Sequence, residues 1–133
     1  MTDGIKGSSN FHDGLWQGFL GIDFEGIIDL GKETDISKIS PSFLSSIEAW
    51  IFLPVKVEYS ISVDNVNYHN VAAITNDIPL TNSDVFIKDF IASFNKEKAR
   101  FIKVKATSIK KCPSWHSGAG GNCWLFIDEI VVE

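Results

Sequence analysis

From Val55 to Val63 the chain alternates without a break: Val55, Val57, Tyr59, Ile61 and Val63 are apolar, and Lys56, Glu58, Ser60 and Ser62 between them are polar. Successive side chains of an extended strand point to opposite faces, so this run has one face for a core and one for water. A helix would scatter the same apolar residues around its circumference. Similar runs recur along the chain. Phe24–Leu30 ends at Gly31, Ile47–Leu53 ends at Pro54, and further runs cover His69–Ile74, Ala99–Ala106 and Trp124–Glu133. Turn-forming residues separate them: Asp64–Asn67 reads as a turn, Asn76–Asn82 as a loop around Pro79, and Asp35–Leu44 as a short turn broken by Pro41. Val85–Phe94 is ambiguous, because Phe86, Phe90 and Phe94 recur at helical spacing, but it reads as mostly strand. Asn95–Lys98 then reads as a hairpin-type turn into the next strand. About eight short strands in one domain predict an all-β, antiparallel two-sheet β-sandwich of jelly-roll type.

At 133 residues the chain is long enough to bury about two-thirds of its unfolded surface as one domain, so it needs no cross-link to fold. Its net charge of −5, with no Lys/Arg stripe, argues against nucleic acid. No run of about 18 apolar residues predicts a membrane span, and Met1-Thr-Asp-Gly4 is unlike a signal peptide. Thr2-Asp-Gly4 is turn-like, which suggests a module cut from a larger protein.

The region with the strongest mark of function is Cys112-Pro-Ser-Trp-His-Ser-Gly-Ala-Gly-Gly-Asn-Cys123. Pro113 and the glycines at 118, 120 and 121 shape a loop that presents Trp115 and His116. An exposed aromatic beside an imidazole suits a sugar, whose C–H face stacks on a ring while its hydroxyls take hydrogen bonds. Phe11, His12 and Asp13 in the long N-terminal segment form a second such set. The bland alternative tucks Trp115 against the sandwich, with His116 bonding a backbone carbonyl. Cys112 and Cys123 bracket the loop, and the sequence leaves two readings open. Either they form a disulfide, worth at most about 3 kcal/mol and implying an oxidising compartment, or they are reduced and half-buried. Trp50 and Trp124, each inside a predicted strand, are expected in the core, and Trp16 on the sandwich floor. Catalysis is poorly supported. Asp128 and Glu129 are adjacent on a strand and point to opposite faces, and Ser114 or Ser117 with His116 lacks the strand-turn-helix setting of a nucleophile.

Four short patterns, in order, resemble the F5/8 type C (discoidin-like, galactose-binding-like) family: Thr2-Asp3-Gly4 followed by Trp16; Ile28-Asp29-Leu30-Gly31; Tyr59 to Asn65, where Asn65 stands for the family's glycine; and Ala99–Val104 with Asp128–Val132. Trp115-His116 with Gly118, and Trp124–Ile130, look like the C-terminal carbohydrate-binding modules of bacterial β-hexosaminidase-type glycoside hydrolases. The resemblance implies a non-catalytic accessory module of a secreted or periplasmic hydrolase. Its expected partners are galactose-like or N-acetylhexosamine glycan ends and the parent catalytic domain. It also implies a structural Ca2+ site, for which Asp3, Lys6, Ser8 and Glu129 occupy matching positions. One departure stands out: sugar-binding members commonly use His, Arg and Asn with a stacking aromatic, whereas the one arginine here, Arg100, lies in a predicted strand and reads as a surface charge. The rival expectation is a structural or protein-interaction domain that packs against its parent enzyme and never touches a sugar.

Overall fold

The computed structural model describes residues 17–78 and 84–133. Seven strands run through them: β1 (Gln17–Leu20), β2 (Phe24–Ser45), β3 (Lys56–Ser62), β4 (His69–Thr75), β5 (Phe86–Asp89), β6 (Ala92–Thr107) and β7 (Trp124–Val132), with one 3-10 turn at Ile47–Ala49. All pairings between strands are antiparallel.

β2 organises the molecule. Its first part pairs with β6, from Phe24↔Ala106 to Ile39↔Ala92, while its last part lies between β7 (Phe43↔Ile127) and β5 (Ser45↔Phe86). The hydrogen-bonded sheet therefore folds over at Ile39 into two layers, β2–β6–β3–β4 and β1–β7–β2–β5. The core lies between them, with Val57, Tyr59 and Ile61 of β3 and Ile102, Val104 and Ala106 of β6 facing Phe43, Phe90, Leu125 and Ile127. The alternation of β3 is realised as expected: Val57, Tyr59 and Ile61 are fully buried, and only the end residues Val55 and Val63 are exposed. Tyr59 Oη donates to the Phe90 carbonyl, tying β3 to the segment between β5 and β6.

Several sequence expectations change. The strand beginning at Phe24 does not end at Gly31. The residues between Asp29 and Thr34 form a bulge, in which Gly31 adopts φ 85° and donates its N–H to the Asp29 carboxylate at 2.8 Å, and the strand resumes beyond it. Asp35–Leu44 is strand rather than turn. Pro41 fits because it sits at an irregularity of the β2–β7 ladder, where its missing N–H costs little, and its carbonyl accepts from Phe90 N at 2.9 Å. Val85–Phe94 divides between β5 and the start of β6, the chain crossing from one layer to the other at the buried Phe90. Asn95–Lys98 is no hairpin turn but lies within β6, with Lys98 opposite Asp35 and Glu97 opposite Ile36. Ile47–Leu53 is no strand either. The turn at Asp64–Asn67 is realised: the Asp64 carboxylate accepts the N–H groups of Val66 and Asn67, both at 2.9 Å, and Asn65 takes φ 61°. Arg100 is a surface charge, its Nε and Nη2 clamped on Asp29 at 2.9 and 3.1 Å.

Candidate functional site

Two loops meet at one end of the sandwich. Residues 46–55 join β2 to β3, and residues 108–123 join β6 to β7. A parallel bridge between Ile51 and Trp124 fixes them together, supported by Trp124 N to Trp50 O at 2.7 Å and Phe52 N to Trp124 O at 3.1 Å. Beneath them Ile47, Phe52, Cys112 and Cys123 form a second buried cluster, with Ile109 packed against it.

The 108–123 loop closes at its neck by an antiparallel bridge between Lys111 and Asn122. Cys112 N donates to Gly121 O and Cys123 N to Lys110 O, each at 2.9 Å. At its base the Asp23 carboxylate accepts Ser108 N at 2.9 Å and pairs with Lys110 Nζ at 3.1 Å. The tip is a run of tight turns, His116 N to Pro113 O, Ala119 N to His116 O and Gly121 N to Gly118 O.

His116 is the keystone of this tip and is only 8% exposed. Gly118 N donates to Nδ1 at 2.9 Å, so Nδ1 carries no proton, and Nε2, 2.5 Å from the Ile47 carbonyl oxygen, is the donor that links the two loops. Both ring nitrogens are consumed by backbone. A ligand in reach of this loop meets the ring's neighbours rather than its nitrogens, so His116 positions the site. Around it stand three aromatic rings, Phe52, Trp50 and Trp115, with centroids 5.4, 5.9 and 6.0 Å away, all edge-to-face. Phe52 is buried beneath, whereas Trp115 is 49% and Trp50 38% exposed. Trp115 is therefore the presented aromatic that its loop context predicts.

Trp50 corrects the sequence reading most sharply, since it is neither in a strand nor in the core. It ends the 3-10 turn in the left-handed conformation (φ 66°, ψ 25°), which for a bulky side chain costs about 1–2 kcal/mol. A clasp holds it there: Ser46 and Ile51 exchange two backbone hydrogen bonds at 3.0 Å, and Trp50 N donates to Ile47 O at 3.0 Å. The indole then lies against the backbone of Gly118 and Gly121. A Cβ on Gly118 would stand 2.5 Å from Trp50 Cζ2, and one on Gly121 3.0 Å from Cζ3. These two glycines are needed for close approach, whereas Gly120, with φ 81° and open space around it, is needed for its turn. Sequence reasoning missed Trp50 because nothing local marks a tryptophan for positive φ. Trp124 is half-buried rather than core, stacked edge-on to Phe126 at 5.7 Å.

Other candidates fall elsewhere. Phe11, His12, Asp13, Trp16, Asp3, Lys6 and Ser8 lie outside the described residues, and Glu129 is placed only as a backbone position in β7. Among the described residues no group of three or more His, Cys, Asp or Glu is placed to hold a metal ion. Cys112 and Cys123 are both buried and free. No helix among the described residues is long and apolar enough to cross a membrane.

No protein-family model matches the chain, and no curated protein sequence does. Solved structures do match. A CBM32 module of AlyQ, in complex with 4,5-unsaturated mannuronic acid, superposes with a TM-score of 0.55 at 15% identity, covering 94% of this chain and 83% of that one. A GH29 fucosidase of Ruminococcus gnavus, in complex with fucose, gives 0.59 at 18% identity over 92% of this chain but only 20% of its own. A CBM32 module from a family 31 glycoside hydrolase of Clostridium perfringens gives 0.50 at 23% identity, covering 85% and 73%. The chain has the discoidin-like β-sandwich fold of these modules.

Proposed function

We propose that this domain, residues 1–133, is a non-catalytic carbohydrate-binding module that holds a sugar ring against Trp115, with Trp50 as a second aromatic wall. What carries the reading is a pair of half-exposed indoles, each packed edge-to-face on a buried His116 whose nitrogens are both tied to backbone. Rigid aromatic surface at a sandwich end suits the apolar face of a pyranose, because stacking gains most when the ring is already fixed. The exposed hydroxyls of Ser114 and Ser117 flank the pair in sequence. Phe11, His12 and Asp13 belong to the same proposal as further sugar contacts. The fold supports it, since the superposing structures include modules named for carbohydrate binding.

The ligand class we propose is a galactose-like or N-acetylhexosamine glycan end, and the parent a secreted or periplasmic glycoside hydrolase of β-hexosaminidase type. A single ring on one aromatic, with a few hydrogen bonds, gives about −4 kcal/mol and hence millimolar affinity, so targeting depends on avidity with the parent. A structural Ca2+ held by Asp3, Lys6, Ser8 and Glu129, in part through backbone carbonyls, is part of the proposal and is tested by melting the chain with calcium and with a chelator. The sugar reading is tested by titrating galactose and N-acetylgalactosamine while following tryptophan fluorescence. A saturable change in the millimolar range supports it. A flat response to both, with association to the parent enzyme instead, favours a packing role for the same aromatic surface.

A further inference from the structure

The outer faces of the two layers differ. On β2–β6–β3–β4 the outward-facing Glu25, Ile27 and Lys105 are exposed, as on the wet side of an antiparallel sandwich. On the other layer Ile39, Phe43 and Ile127 point into the core, so alternation turns Ser40, Ser42, Leu44 and Phe126 outward. The parallel bridge of Ile51 to Trp124 carries the same face on to Ile51. Yet Ser42 and Leu44 are fully buried, and Ile51 is 1% exposed. Leu44 and Ile51 belong to neither buried cluster, so the core between the layers is not what covers them. Among the described residues the strands form these two layers only.

The covered area is narrow. Leu20 of β1 and Ile87 of β5 are exposed at its two rims, which leaves a strip along β7 and β2 about 10 Å wide, room for one or two extended segments. Two stretches of the chain lie outside the described residues. Residues 79–83 are tied at both ends to the β5 rim, by the ion pair of Asp77 with Lys88 Nζ at 3.4 Å and by β5 itself. Residues 1–16 join the fold at Gln17, opposite Ile127 and beside the strip. They reach about 50 Å when extended and include the apolar Ile5, Leu15 and Trp16. We propose that residues 1–16 dock along this strip and, by packing on Ile51, hold the neighbouring Trp50 in its left-handed clasp. The bearing of this on sugar rests on the function proposed above, whereas the docking stands or falls by itself.

The test is a nuclear Overhauser experiment on the full chain with labelled Ile and Leu methyl groups. The methyls of Leu44 and Ile51 should show cross-peaks to protons of residues 1–16. Cross-peaks only to residues 79–83, only to a second copy in a mixed-label sample, or to nothing beyond residues 17–78 and 84–133 overturn the docking. The hold on Trp50 is read by amide exchange in an Ile5→Ser/Leu15→Ser variant, at the Trp50 and Ile51 N–H groups that bond Ile47 O and Ser46 O. Exchange there should quicken by about tenfold or more, with Val57–Ile61 of β3 unchanged. Native rates at Trp50 and Ile51, or an equal rise through β3, overturn the hold. A chain that shows the cross-peaks but binds neither galactose nor N-acetylgalactosamine keeps the docking and loses the sugar reading.

Discussion

Replacing Gly118 by alanine tests whether Trp50 and the 108–123 loop are built for each other. Gly118 has no need of positive φ, so the new methyl meets no backbone penalty, but it stands 2.5 Å from Trp50 Cζ2 and 2.6 Å from Cε2. Carbon contacts settle near 3.5–4.0 Å, so the indole or the loop must move by about 1 Å. Overpacking of this kind costs about 1–3 kcal/mol, and the stiffer unfolded chain returns about 0.4–1 kcal/mol. A net loss of about 1–2 kcal/mol is expected. The same substitution in a Trp50→Ala background has no ring to strike, so it should be neutral or stabilising by up to about 1 kcal/mol. Urea denaturation of the four proteins of this cycle, all under the same redox condition, gives the coupling directly. Gly120→Ala is the control, since nothing lies within 4 Å of its Cβ but its φ is 81°. It should cost about 1–2 kcal/mol whether or not Trp50 is present. An equal cost of Gly118→Ala in both backgrounds, within about 0.5 kcal/mol, refutes the seat described for Trp50.

His116→Ala leaves the Ile47 carbonyl and the Gly118 N–H unpaired in a buried place, at about 1–3 kcal/mol each. It should lower stability by about 2–6 kcal/mol in total and weaken the near-ultraviolet circular dichroism of Trp50 and Trp115; an unchanged melting curve contradicts its keystone role. Acid should destabilise the fold through carboxyls that the native structure holds ionised, Asp64 and Asp29 among them. Asp64 is held below the usual range first by the Asn67 and Val66 N–H groups, and Asp29 first by the Arg100 guanidinium. A carboxyl with a lowered folded pKa contributes stability in full above its unfolded value, about 4, and loses it as pH falls through the folded value. Melting temperature should therefore drop below about pH 4, and less steeply in Asp64→Asn; a melting temperature that rises on acidification contradicts this.

The sandwich was legible wherever the residue pattern and the burial pattern coincide. Val57, Tyr59 and Ile61 lie on one face in the sequence and in the core of the fold. The Asp64–Asn67 turn was equally plain, because its chemistry is local. What was hidden depends on partners far along the chain. Asn95–Lys98 has the composition of a turn, yet it pairs with residues of β2 some sixty positions away, on an exposed stretch where polar side chains cost nothing. Gly31 looks like a strand end and Pro41 like the break in a short turn, but each sits where the ladder is irregular, and β2 runs through both. The site divides the same way. Trp115 could be picked out because proline and glycine around it announce a loop. His116 follows the alternative reading, its ring bonded to a backbone carbonyl, that of Ile47, whereas the role of Trp50 could not be read, since Trp50 is turned outward by its clasp and its bond to Trp124.

Sugar binding by this domain turns on Trp115. The direct measurement is an NMR titration of the 15N-labelled chain with galactose and N-acetylgalactosamine, following the indole N–H signals of its four tryptophans in the native protein and in Trp115→Ala. A saturable shift of the Trp115 indole is expected in the native protein, with a midpoint in the millimolar range, together with a smaller shift of the Trp50 indole that disappears in Trp115→Ala while the fold is kept. No sugar-dependent shift at Trp115 in the native protein, or a Trp50 shift that persists unchanged in Trp115→Ala, would contradict sugar binding at Trp115.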